Sequence, residues 1–436
     1  MKIKISKLLN NIKSRDYSFF IVFLSIFLIF FMRSPFRLLQ AQFWAEDGTV
    51  AFMDAYNKGF IPNLFSPVAG YLAIVMRLIA KIPIIFENYS SAPIFYALCS
   101  FIIASLIIAI FTTSLYDKLI PNKYVRIVLA LSIAAGGSYF ELMGSLANLQ
   151  WYLGLIILHL CVWFIYHPGK SFSRLKSIAF CLFILLVCLS TPQVVCYAPF
   201  LLIFIVINFK KFSKTNIAVL ITFFLGCGIQ VVINRLFPAD AYVTMGDHNY
   251  NFLNVFDVFY YKQLVQILIP KNFGEYLIQN SNYFLLAVFI IFFIVIYFFY
   301  SIKNKQYSFL FLVVSFLFIN VGLLAYGRPN IIAISYSFKD LFVSSGGRYF
   351  FVPFVLLLII GFSNFSLNKY KLLILPFLFI QVTAGLMFFQ NEIVFTDLKW
   401  SDAVVQLQAA KKGEVVPVTV NPVWYAGKFQ ILLNKK

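Results

Sequence analysis

Acidic residues are scarce in this chain: 16 Asp plus Glu stand among 436 residues, against 35 Lys plus Arg. Charge of either sign amounts to 12%, where soluble globular domains carry about 25%. Hydrophobic residues reach 61%, with 54 Phe, so a water-soluble fold is excluded and a polytopic membrane protein is expected. Cysteine is limited to positions 99, 161, 181, 188, 196 and 227, in or against apolar runs and without C-x-x-C pairing. That spacing gives no thiolate metal site and no disulfide framework; the six act as small packing residues. Neither G-x-G-x-x-G nor G-x-x-x-x-G-K-[ST] occurs, which excludes the common nucleotide-binding loops. Histidine is equally sparse. His159 and His167 carry no role, and His248 beside Asp240, Asp247 and Asp257 reads as part of a solvated loop, with a metal site as the alternative.

Apolar runs of the length a helix needs to cross a bilayer recur along the whole chain. Eleven are expected, near 18–33, 91–116, 125–140, 151–166, 177–191, 194–209, 216–234, 283–300, 308–325, 348–363 and 372–390. The first follows a basic flank but leads into Met32-Arg33-Ser34-Pro35-Phe36, not a small-residue cleavage site, so it is expected to be retained. The chain divides into an all-α membrane unit, 1–390, and a short tail, 391–436.

Short loops on the cytoplasmic side collect Lys and Arg. Lys2, Lys4, Lys7, Lys13 and Arg15 put the N-terminus inside, and every second loop is then basic: Lys118/Lys123/Arg126, Lys170/Arg174/Lys176, Lys210/Lys211/Lys214, Lys303/Lys305 and Lys369/Lys371. The inner side holds 18 basic residues against two acids, and the outer side 17 against 14. The net charge of +19 is thus a topology signal, and it implies anionic lipid beside the inner loops, not nucleic acid. The C-terminus falls outside. Four larger outer segments, 34–90, 235–282, 326–347 and 391–436, hold nearly all the acids, so function is expected there.

In the first outer segment, Phe43 to Asn57 alternates Phe43, Val50, Met53 and Tyr56 with Glu46, Asp47, Asp54 and Asn57. An interfacial helix is expected. A turn-rich loop follows at Asn63–Gly70, and a second interfacial helix at Tyr71–Phe86, where Arg77 and Lys81 exclude the bilayer centre. In the tail, Val415–Val420 reads as a short strand.

The motifs Phe43-Trp44-Ala45-Glu46-Asp47-Gly48-Thr49, Phe65-Ser66-Pro67-Val68-Ala69-Gly70-Tyr71 with Arg77, Asn148-Leu149-Gln150-Trp151, Ser190-Thr191-Pro192, Gly347-Arg348-Tyr349-Phe350 and Asn421-Pro422-Val423-Trp424 carry a resemblance. The chain resembles the GT-C superfamily of polyprenyl-phosphate-sugar-dependent glycosyltransferases, in particular the bacterial O-antigen-modifying enzymes of serotype conversion. The resemblance implies a GT-C-like bundle of about eleven spans, with two periplasmic juxtamembrane helices in the first outer loop and a multi-pass setting in the bacterial inner membrane. It implies transfer of a hexose, glucose among the candidates, from undecaprenyl phosphate to O-antigen, lipopolysaccharide or a related lipid-linked glycan at the periplasmic face, with inversion. Donor synthase and flippase would be its functional partners. It names no cofactor with certainty and leaves room for a divalent metal, Mg or Mn.

Such a transfer needs a carboxylate to take a hydroxyl proton and cations to hold the departing phosphate. On that resemblance Asp47 is the expected base, with Glu46 orienting it or binding acceptor or metal. Arg348 is the expected phosphate ligand, with Arg328, Lys339 and Arg77 as further choices. Trp44, Glu141, Asn148, Gln150 and Trp151 are expected to line the sugar or acceptor pocket. Two alternatives remain at this stage: an O-antigen polymerase or ligase, or a transporter of lipid-linked glycan. The span cores carry no charges of the kind that mark transport pathways, and no inverted repeat is evident.

Overall fold

A computed structural model describes residues 17–136, 140–238, 306–327, 347–363, 396–421 and 430–434. The helices, in chain order, are α1 (Ser18–Arg33), α2 (Phe36–Leu39), a π-helix (Asp47–Phe52) running into α3 (Met53–Asn57), α4 (Phe60–Leu64), α5 (Ile74–Ile85), α6 (Ala92–Ala109), α7 (Lys123–Ala135), α8 (Leu149–Tyr166), α9 (Arg174–Cys188), α10 (Val194–Asn208), α11 (Lys214–Leu236), α12 (Tyr307–Gly327), α13 (Phe351–Ser363) and α14 (Trp400–Ala409). Strands β1 (Val415–Thr419) and β2 (Gln430–Asn434) pair antiparallel, with Val415 opposite Asn434.

The protein is mostly helical. Among the described residues, four helical stretches are long and apolar enough to cross a membrane: Ala92–Thr112, Leu149–Tyr166, Val194–Lys211 and Lys214–Leu236. Ser18–Arg33, Tyr307–Asn320 and Arg348–Ser363 are shorter apolar helices. The spans expected near 125–140 and 177–191 are helices of 13 and 15 residues. Those expected near 283–300 and 372–390, most of the 235–282 and 326–347 segments and the first 16 residues lie outside the described residues. The β1–β2 pair is the exception to an all-α reading; Val416 and Val418 turn inward and the odd positions outward.

α8 is the central helix. It packs against α6, α9, α10, α12 and α13, and its buried positions follow one another almost without a break from Leu149 to Val162. A helix apolar on every side belongs where every side is covered. α1 packs on α6 and α7. Its last residue, Arg33, is buried and donates from Nη1 to the carbonyls of Ala134 (2.7 Å) and Gly136 (3.3 Å). It thereby supplies donors to carbonyls that the end of α7 leaves without helical partners.

The described connecting segments sort to two ends of the bundle. At one end, Ser213 N donates to Pro168 O (3.1 Å), Lys118 Nζ to Tyr166 O (2.8 Å) and Arg126 pairs with Asp117. At the other, the 34–90 segment meets the 140–148 turn, the α9–α10 turn, the start of α13 and the tail. There the first N–H groups of α5 find partners: Ile74 N donates to Leu189 O (3.2 Å) and Val75 N to Ser190 Oγ (2.9 Å). Gln230 of α11 brackets Leu72, accepting from its N–H (2.9 Å) and donating to its carbonyl (3.2 Å).

The two stretches expected as interfacial helices form, but they are embedded in protein. Phe43, Asp47, Ala51, Phe52, Ala55 and Tyr56 make the buried face of the first. This differs from the sequence pattern, in which Asp47 falls on the polar side: the residues meeting it donate hydrogen bonds, so a carboxylate is tolerated inside. An aromatic cluster supports that face, with Phe43 4.7 Å from Trp400 and 4.8 Å from Phe52, ring centre to ring centre. Contacts of this kind add about 0.5–1.5 kcal/mol each beyond area burial.

Candidate active site

The π-helix that begins at Asp47 is held from two sides. The first is the tail. Ala45 N donates to Asn421 O (2.6 Å) and Asn421 N donates to Phe43 O (3.2 Å), a parallel bridge that spans Trp44. Asn421 is fully buried, and its side chain is anchored in turn: Nδ2 donates to Thr396 O (2.8 Å) and Oδ1 accepts from Thr396 N (3.2 Å). Ala45 sits at φ 42°, in the left-handed region that a residue with a Cβ enters only when its surroundings hold it there.

The second support is the 144–148 turn. Asp47 is 3% exposed. Its Oδ1 accepts from Ala147 N (2.8 Å) and from Ser145 Oγ (3.0 Å), while no hydrogen bond among the described residues reaches Oδ2. Burial pushes its pKa up to about 7; the nearby Arg37 and the two donors pull the other way, and Glu46 adds to the rise. A carboxylate that titrates near neutrality with one free oxygen is suited to accepting a proton. Neither acid caps the helix, because Glu46 makes no side-chain capping bond and Asp47 turns to the other segment.

Arg37 of α2 supplies the counter-charge. Its guanidinium carbon lies 4.6 Å above the Trp44 ring, and burial lowers its pKa to about 10, still cationic at neutral pH. Gly144, at φ +65°, gives it room: a Cβ there would stand 3.1 Å from Arg37 Cγ and 3.0 Å from Phe101 Cε1. Trp44 is therefore buried beneath a cation, not offered as a stacking surface for sugar.

Linked to Asp47 through Glu46 and the 141–148 turn is a second, more open group. Arg348 Nη1 is 3.6 Å from Glu141 Oε2, their side chains 26% and 18% exposed. The charge of Glu46 acts on the same guanidinium, which also sits 5.5 Å from the Tyr349 ring centre. Tyr349 stacks edge-on against Trp151 at 4.9 Å. Gln150 Nε2 donates to Tyr71 OH (2.7 Å) and to Ala147 O (3.2 Å); burial pushes the Tyr71 phenol up to about 12, Gln150 opposing the rise. Asn148 braces the turn, donating from Nδ2 to Glu141 O (2.9 Å) and Ser145 Oγ (3.2 Å).

The head of α8 thus gathers Glu46, Asp47, Glu141, Asn148, Gln150, Trp151 and Arg348. Arg77 stands apart. It is fully buried, 2.6 Å from Asp54 Oδ2 and donating to the carbonyls of Val50 (3.0 Å) and Ser66 (3.3 Å). Its guanidinium ties α5 to the π-helix and α3, and a phosphate ligand role for it is not supported. Arg328 and Lys339 lie outside the described residues.

Among the described residues no three His, Cys, Asp or Glu side chains come together, and Glu141 and Asp47 are each faced by an arginine. Arg37 and Ser145 escaped the sequence reading, and Tyr71, Tyr349 and Asn421 entered it only as parts of motifs, with no role of their own. Only Asn421, in Asn421-Pro422, carried a visible turn signal. The others matter through contacts made across the chain.

Comparison of the chain with protein-family models, with curated proteins and with solved structures finds no match.

Proposed function

We propose that this protein is a membrane glycosyltransferase that moves a hexose from a polyprenyl phosphate to a glycan hydroxyl at the end of the bundle carrying Asp47. In this reading the chain crosses the inner membrane about eleven times, and that end faces the periplasm. The observation that carries it is the grouping of unlike charges at the head of α8: a buried carboxylate poised near neutrality, and next to it in the chain Glu46, whose charge acts on the partly exposed Arg348. The acceptor oxygen forms a bond to the anomeric carbon as the bond from that carbon to the phosphate oxygen breaks. The electron pair leaves with the lipid phosphate, which Arg348 receives by exchanging its long contact with Glu141 for a bidentate one. The hydroxyl proton goes to Asp47 Oδ2. Arg37 keeps the carboxylate ionisable inside the protein.

The test is direct. Purified protein in detergent, given undecaprenyl-phosphate hexoses and a lipid-linked glycan, is expected to yield a glycan heavier by one hexose in mass spectrometry. Asp47→Asn is expected to reduce the rate by about 10² to 10⁴, the usual contribution of a general base. Full activity of Asp47→Asn, or lack of transfer by the wild type with any such donor, overturns the proposal.

A further inference from the structure

One turn along α8 from Gln150 and Trp151, the helix carries Gly154. The amide of Gln193, from the α9–α10 turn, lies in the space a side chain there would take. A Cβ at Gly154 would fall 2.0 Å from Gln193 Oε1 and 3.5 Å from Val352 Cγ2. Gln193 is 4% exposed, yet neither Oε1 nor Nε2 has a hydrogen-bond partner among the described residues. The same is true of Trp151 Nε1, in a residue 6% exposed, and of Gln150 Oε1. Both contacts of Gln150 Nε2 fix the orientation of that amide. For Gln193 the two ends can be exchanged without changing the count, one donor end and one acceptor end.

Buried polar atoms are almost always paired, and four unpaired ones on α8 and the α9–α10 turn call for a partner from elsewhere. Their chemistry restricts what it is. The two amide oxygens require donors, which an ionised phosphate or carboxylate does not bring. Trp151 and the Gln193 nitrogen require acceptors, which a prenyl chain does not bring. Hydroxyl groups are both.

The geometry points to a hydroxyl-recognition subsite formed by Gln193, Trp151 and Gln150, which holds the sugar ring of the donor one helical turn beyond the level of Arg348. It rests on the glycosyl-transfer reading and adds to it the residues that separate a sugar-bearing lipid from the bare lipid phosphate. Gln193 has no role in the chemistry itself. It acts by selecting the ligand.

Full-length protein in nanodiscs, titrated with undecaprenyl-phosphate glucose and with undecaprenyl phosphate, tests this. Wild type is expected to bind the sugar-bearing lipid more tightly. Gln193→Leu is expected to lose about 10- to 100-fold of that affinity, the scale of a buried hydrogen bond, and to bind the bare lipid as before. Gly154→Ala, which pushes the amide aside without removing it, is expected to lose the same selectivity, and it stands in should Gln193→Leu not fold. Equal weakening towards both lipids assigns the side chain to packing, and unchanged affinities assign it to an ordered water; either result overturns the subsite. Wild type that binds both lipids equally also overturns it while leaving phosphate recognition intact. Wild type that binds neither lipid removes the glycosyl-transfer reading itself.

Discussion

At the scale of single residues, protonation of Asp47 governs what is expected. Its pKa is pushed up to about 7 by burial, so the base form grows in as pH rises through neutrality. The transfer rate should climb over that interval, and a rate profile between pH 5 and 9 checks it. Ser145→Ala removes one donor that favours the ionised form, so the rising limb is expected to move to higher pH. Stability runs the other way. A carboxyl whose pKa is raised by folding favours the folded state while protonated and loses that contribution as pH rises from its ordinary range through about 7. Asp47→Asn is therefore expected to melt higher than wild type at pH 8, with the gap closing at pH 5, as read by thermal unfolding in detergent. Arg348→Ala leaves Glu141 unopposed and is expected to weaken donor binding by about 10-fold or more, in line with loss of a charge-assisted hydrogen bond. Glu46→Gln is expected to have a smaller effect than either.

At the scale of elements, the site depends on how the first segment is braced. Asn421→Ala removes two buried hydrogen bonds to Thr396, which at about 1–3 kcal/mol for a buried group left unsatisfied should lower the melting temperature by several degrees. The bridge to Phe43 and Ala45 loses its anchor, so transfer should fall even though Asn421 is not placed against substrate. Comparing both readouts with those of the exposed Val405→Ala on α14 checks the assignment. Much of this architecture was legible in the sequence. Uninterrupted apolar runs announced α1, α6, α8, α10 and α11, and the β-branched run Val415–Thr419 announced β1. What was hidden is pairing across distance. Arg77 and Lys81 read as interfacial because their partners, Asp54 and the carbonyls of Ala55 and Lys58, are separated from them in sequence. Asp47 read as solvent-facing because Ser145 and Ala147 are about a hundred residues away. The Glu46-Asp47 pair could be singled out by its rarity, but Arg37 and Gln193 had no such mark.

At the scale of the molecule, the described loops 117–123, 167–173 and 209–213, which charge counting put on one side, lie at one end of the bundle, and the described parts of the 34–90 segment and the tail lie at the other. Which end faces which compartment is open to direct labelling. A cysteine at exposed Phe65 is expected to react with a membrane-impermeant maleimide in spheroplasts, whereas one at exposed Leu175 should react only after permeabilisation. The six native thiols are buried or partly buried, which keeps the background low. The opposite pattern would place Asp47 in the cytosol. The clasp of Asn421 on residues 43–45 also imposes an order in time. The ribosome makes the WAED stretch before most of the helical bundle and its fastener after it. A nascent chain therefore carries its acid pair unfastened while the bundle is being made, and the clasp closes only once Asn421 has followed it.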